Sequence, residues 1–274
     1  MKRKNFIWSL SAIMMAAMLS GGLVACSSDD DDDASDTSGV LDNELGLRVM
    51  SVGNYKYTYM DDGRLDYVMD RRFKYEFSYS PNRIDSMDVS YTSKGYLKSV
   101  SQNTKSNQAS ANYTYDGDGH LTKITSSVKG EDDNYRCDVT LTWKNDLLRK
   151  IVWIDEYYDD GDTYTDRYTS VFEYDVEKNV ENLFLQFAPS LMQFSGLGDG
   201  EIEEALAYVG MLGKGPKYLP SSCETEVEED EGDGKVDRRT RTKTFQYGFN
   251  IDGALSYVTI NSERINYKYD FLDN

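Results

Sequence analysis

The sequence predicts a mainly β protein: an antiparallel β-meander of about a dozen strands forming a barrel or a strongly curved sheet, with an inserted helical segment. Three observations predict it. A hairpin-sized pattern returns along the chain, each copy ends in polar turn chemistry, and the series is interrupted once by an apolar stretch of helical period.

The composition bounds the function. The 274 residues include 48 acidic and 30 basic side chains, one His and 22 Tyr, for a net charge of -18. Such a charge repels phosphate backbones and anionic headgroups, so nucleic acid is not an expected partner and a basic membrane helix is excluded. Aromatic residues make up 13% of the chain, too many packing groups for a wholly disordered protein.

The elements follow in chain order. Lys2, Arg3 and Lys4 precede an apolar run from Phe6 to Ala25, which reads as a signal peptide over residues 1–25. Leu23-Val24-Ala25-Cys26 resembles the lipobox of bacterial lipoproteins, and that resemblance implies acylation of the Cys26 sulfur. A signal anchor or ordinary secretory cleavage are the alternatives. Residues 26–44, with Asp29 to Asp33 at their head, cannot bury apolar area and read as a solvated acidic tether. Acid directly behind the cysteine is similar to the surface-export signal of Bacteroidetes lipoproteins. The alternative is a plain spacer.

Residues 45–274 read as a single β-meander domain. The recurring unit is an aromatic pair at i and i+2, a polar turn with Gly four residues later, Leu at six and Val or Ile at nine. Tyr57/Tyr59 with Gly63, Leu65 and Val68, Tyr113/Tyr115 with Gly119, Leu121 and Ile124, and Tyr247/Phe249 with Gly253, Leu255 and Val258 are the cleanest copies. Val89/Tyr91 keeps the spacing, Phe77/Tyr79 and Leu141/Trp143 have shorter turns, Phe172/Tyr174 is degenerate, and Tyr267/Tyr269 closes the series. Period-two aromatics joined by such turns are β-hairpins. Leu and Val three apart cannot share a face of an unbroken strand, so either both faces are covered or a bulge intervenes. Near the C-terminus, alternation pairs Glu226 with Arg239 and Glu224 with Arg241 across a turn at Asp230 to Gly234.

The interruption spans about 180–213. Pro189 suits the first turn of a short helix, and Asp199 caps a second, with Glu201, Glu203 and Glu204 in its first turn and Ile202, Leu206 and Val209 on one face before Gly213. Met192, Tyr208 and Met211 read as packing groups.

With repeat, lipobox and insert together, the chain resembles a Bacteroidetes lipoprotein family classed only as a domain of unknown function with a porin-like fold. Gly213-Lys214-Gly215-Pro216-Lys217-Tyr218-Leu219-Pro220 carries the likeness most specifically, with Tyr218 where that family has Asn. The resemblance implies a β-barrel and no catalytic residues. Tyr113 to Leu121 is also similar to the YD repeats of large bacterial toxin shells, which informs local hairpin shape alone.

Chemistry is sparse in the sequence. His120 lies in the turn Asp116-Gly-Asp-Gly-His120, where an exposed polar residue is ordinary, and no Ser or Cys motif joins it in a nucleophile arrangement. Asp116 and Asp118 are weak calcium candidates without EF-hand spacing, and no cofactor or other metal is expected. Cys137 reads as a buried apolar group, with a disulfide to Cys223 as the alternative. Trp153, Tyr157, Tyr158 and Tyr164 cluster about the Asp159 to Asp162 turn and are the candidate binding patch. A lipid-embedded barrel ranks below a water-facing one, because the aromatic phase is tyrosine and not the aliphatic band that lipid requires. The expectation is an outer-membrane lipoprotein facing the cell exterior, a non-enzymatic module for a glycan or an envelope partner. A hydrolase of extracellular polymers and a structural envelope component are the alternatives.

Overall fold

The structure, a computed structural model, describes residues 47–61, 64–70, 74–79, 82–84, 87–103, 107–130, 134–159, 161–181, 206–207, 209–232 and 234–271. Cys26, the signal peptide, the tether, Gly63, Met192, Ile202, Tyr208 and most of both expected helices lie outside them.

Sixteen strands form among the described residues. The first eight are β1 (Leu47–Val52), β2 (Tyr55–Tyr59), β3 (Leu65–Met69), β4 (Lys74–Tyr79), β5 (Asn82–Ile84), β6 (Met87–Tyr91), β7 (Leu97–Asn103) and β8 (Asn107–Tyr115). The rest are β9 (Leu121–Gly130), β10 (Asn134–Lys144), β11 (Leu147–Asp159), β12 (Asp162–Glu173), β13 (Ser222–Gly232), β14 (Lys235–Phe249), β15 (Leu255–Ile260) and β16 (Glu263–Phe271). Each pairs antiparallel with its sequence neighbours, and β1 pairs with both β2 and β16, so the meander closes into a barrel.

The Leu-to-Val spacing is resolved by a bulge. Tyr57 faces Val68 and Thr58 faces Tyr67, but Tyr59 faces Leu65, which leaves Asp66 as an extra residue. Leu65 and Val68 therefore turn inward together, and both are buried. The same shift recurs at Tyr91, Tyr115, Trp143 and Phe249. In two of these hairpins the extra residue reaches back across the bulge, Thr122 Oγ1 donating to the Thr114 carbonyl and Ser256 Oγ to that of Gly248.

A second device joins hairpin to hairpin. Tyr115 Oη donates to the Leu97 carbonyl (2.7 Å), Trp143 Nε1 to that of Leu121 (2.8 Å), Tyr174 Oη to that of Leu148 (2.9 Å) and Tyr269 Oη to that of Leu255 (2.7 Å). Each acceptor is the leucine at the bulge of the preceding hairpin. Even the degenerate Phe172/Tyr174 copy keeps the bond. Burial pushes the hydroxyls of Tyr115, Tyr174 and Tyr269 well above the ordinary tyrosine range, so they remain protonated donors.

The insert leaves β12 on the side of these turns and is tied to them. The Met211 carbonyl accepts from Leu97 N, Lys214 N donates to the Gly119 carbonyl, and Lys217 N donates to that of Asp146. Leu206 and Ala207 are helical, but Glu181, placed in the insert by the sequence, makes an extended bridge to Tyr218. Leu206, Val209, Met211 and Leu212 pack with strand residues in one core.

Outward residues are mostly polar, with Val152, Ile154 and Tyr158 on β11 and Val171 on β12 among the exceptions. Arg136, Asp138, Thr140, Thr142 and Lys144 alternate on β10 with Cys137, Val139, Leu141 and Trp143, which turn into the core or pack against it. This is the reverse of a lipid-facing strand, where the apolar set points out. Two expectations are corrected. Glu226 faces Thr240 and Glu224 faces Thr242, one residue from the predicted register, because a bulge between Asp230 and Gly232 shifts it. The shift flips the faces, so Glu228 meets Arg238 outside while Arg239, Arg241 and Lys243 turn inward. Cys137 and Cys223 are both free and buried, not bridged: β11 and β12 separate their strands, about 14 Å at normal sheet spacing.

Gly213 is the tightest point of the insert. Its φ is +89°, and an added Cβ would lie 2.7 Å from the Gly119 carbonyl oxygen and 2.8 Å from the Tyr115 ring. Gly213→Ala is expected to lower stability by about 2 kcal/mol or more in urea unfolding, while Gly117→Ala, in open space, shifts the midpoint little.

Candidate functional site

Strand length makes the barrel uneven. β11, β12 and β14 have 13, 12 and 15 residues, whereas β2, β3 and β6 have five each. At about 3.3 Å per residue, one wall stands some 50 Å along its longest strand and the other about 17 Å. The tall wall rises at the end opposite the insert and both termini of the ring.

Its inner face is a ladder of aromatic and acidic layers. Trp153 faces Tyr168, with rings stacked at 4.2 Å, and four residues away Tyr157 faces Tyr164, stacked at 5.2 Å. Between the two aromatic layers Asp155 lies directly opposite Asp166. Like charges so placed repel, and neighbouring donors offset the cost. Asp155 Oδ1 accepts from Tyr135 Oη (2.6 Å) and from Trp153 Nε1, and Asp166 Oδ1 accepts from Asp230 N (2.8 Å). Burial pushes the Asp155 carboxyl up to about 6, against the pull of the Tyr135 and Trp153 donors and with help from the Asp166 charge. At the edge of the ladder Tyr168 Oη donates to Glu229 Oε1 (3.4 Å), and Arg239 pairs with Glu229 and Asp237.

Three of the four predicted patch residues meet here. Trp153 is buried, at 7% exposure, while Tyr157 and Tyr164 are half-buried on the same face. Tyr158 points the other way and is exposed, as strand alternation requires. Sequence reasoning missed Tyr135, Asp155, Asp166 and Tyr168. Their signal was present as Trp153-Ile-Asp155-Glu-Tyr157 and Tyr164-Thr-Asp166-Arg-Tyr168, two runs with aromatic, acidic and aromatic residues in strict alternation.

The calcium candidates are turn groups. Asp116 Oδ1 accepts from the amides of Asp118 and His120, and Asn250, with no charge, does the same for Asp252 and Ala254 in an equivalent hairpin. Asp116, Asp118 and His120 do lie within ligand distance of one another. His120 is not exposed as expected: at 2% exposure it stacks on Trp143 at 4.3 Å, with Nδ1 3.2 Å from Asp116 and Nε2 3.6 Å from Asp146. It fastens one hairpin turn to the next.

A solved structure of similar fold bears on this geometry. It is a porin-like protein from Bacteroides vulgatus ATCC 8482. The two share 12% sequence identity at a TM-score of 0.52, over 81% of this chain and 98% of that one. At that identity the likeness is one of fold alone. No family model and no curated protein matches the chain.

The Asp155 carboxyl titrates higher folded than unfolded, where it sits near 3.9. Its contribution to stability is therefore full below about pH 4 and is lost as pH rises through about 6. Urea midpoints compared between wild type and Asp155→Asn should diverge across that window, the wild type losing on the order of 3 kcal/mol that the variant keeps.

Proposed function

We propose that the protein is a lipid-anchored envelope protein of the outer membrane that binds a glycan on the inner face of its tall wall, without catalysis. The observation that carries the reading is the ladder in which stacked tyrosines and carboxylates alternate on one concave face. Half-buried tyrosines offer flat apolar area with hydroxyl edges, the chemistry that stacks on pyranose rings. Orientation supports it. Leu47 pairs with Phe271 at the insert end, so a tether from Cys26 would join there and leave the tall wall pointing away from the membrane. The mostly polar outer face, seen most plainly on β10, supports a body held in water by an anchor, in place of one embedded in lipid.

A second reading, hydrolysis of a polymer, is favoured by one observation. Asp155 and Asp166 stand opposite each other with the first raised to about 6, as a general acid beside a second carboxylate requires. Release of reducing ends from a bound polymer, abolished in Asp155→Asn, would mark that activity.

The primary test is a glycan array with purified mature protein. Binding is expected, and Tyr157→Ala or Tyr164→Ala should weaken it about tenfold or more, while Tyr158→Ala on the outer face leaves it unchanged. Complete silence on the array, with a folded protein, would sink the reading.

A further inference from the structure

We propose that the inward face of β14 is an anion site and that the glycan taken by the tall wall is an acidic one, bearing carboxylates. The proposal rests on the glycan reading above. Lys243, Arg241 and Arg239 lie opposite Cys223, Thr225 and Val227, and those three are buried. Residues directly opposite in an antiparallel pair share a face, so three basic side chains rise from the interior side of one strand at about 7 Å intervals. This is an unusual place for positive charge in a chain of net charge -18.

The three differ in how they are satisfied. Arg239 is held by Glu229 and Asp237, and on the outer face Arg238 is held by Glu228. Among the described residues no carboxylate lies within ion-pair distance of Arg241 or Lys243. Arg241 remains open to solvent, while Lys243 is half-buried, and burial together with the Arg241 charge pushes its ammonium towards the neutral form against the pull of Cys223 and Glu263. A cation withdrawn from water without a counter-ion gains from an anion brought by a ligand.

Position ties this anion site to the aromatic wall. Tyr168, Val227 and Arg239 lie on one rung across β12, β13 and β14, and Arg241 is two residues further along. Tyr168 and Arg239 are thus about 10 Å apart, close enough for one short saccharide to touch a tyrosine face and present its acid to the cations. A guanidinium forks onto a planar carboxylate, and the lysine adds a point charge.

Calorimetry on the full mature protein with a short oligogalacturonate, a neutral oligosaccharide of the same length and a heparin fragment tests the idea. Wild type should prefer oligogalacturonate. Arg241→Ala and Lys243→Gln should each weaken it about tenfold to a hundredfold while leaving neutral-sugar affinity unchanged and without lowering the urea midpoint. Arg238→Ala, outside the barrel, should change nothing. Equal binding of acidic and neutral sugars, unaffected by Arg241→Ala, would overturn the anion site and leave the glycan platform standing. Preference for heparin would overturn the assignment to carboxylates, and a loss in Arg238→Ala equal to that in Arg241→Ala would reduce the effect to surface charge. Acidic binding that survives Tyr157→Ala would uphold the anion site and fell the aromatic platform. Failure of every sugar to bind would end both.

Discussion

The bond from the second aromatic of one hairpin to the leucine carbonyl of the hairpin before it is the contact on which the barrel depends. At each bulge the regular ladder is interrupted, and an interrupted ladder leaves backbone groups in need of partners inside an apolar core. A phenol or indole reaching sideways supplies a donor, and its ring packs against the core. Tyr115, Trp143, Tyr174 and Tyr269 do this for four different neighbours. The bulge bends each strand inward, the aromatic fixes the bend to the next hairpin, and repetition turns a meander into a ring. It also explains why so many tyrosines are spent on architecture: the position requires a large apolar body with a polar tip.

The tall wall departs from that economy. Two carboxylates opposed on neighbouring strands, between two stacked aromatic pairs, serve no packing purpose that aliphatic residues would not serve better. Their hydrogen bonds hold rings as much as charges, since Asp155 orients both Tyr135 and Trp153. Features that cost stability and are nonetheless built with care are where binding chemistry is most reasonably sought. Away from the tall wall and the basic face of β14, the core is built of leucine, valine, isoleucine and aromatic side chains from the strands, with Leu206, Val209, Met211 and Leu212 of the insert packed among them.

Much of this was legible in the sequence because the repeat carries its own geometry. The pair Tyr113/Tyr115, its turn and Leu121 reveal strand, turn and returning strand, and the three-residue gap from Leu121 to Ile124 already demands a bulge or a second covered face. The choice between those two was not legible, since it depends on which residues meet across the pair. The same blindness misplaced Glu226 by one residue, for a one-residue bulge at the turn leaves no mark in composition yet exchanges inside for outside. Trp153, Tyr157 and Tyr164 were found through their clustering, whereas Asp155 and Asp166 were lost among 48 acidic residues. Closure was hidden too, because pairing of the first strand with the last is the contact most distant in sequence among the described residues.

That closure has a consequence for life in a crowded envelope. A chain with such β propensity and so many aromatic groups would, as an open sheet, offer unsatisfied amides and carbonyls along two borders and invite copies of itself to add on. Because Leu47 to Val52 engage partners on both flanks, no such border remains among the described strands, and copies of the barrel that meet side by side do so through the side chains of its outer face.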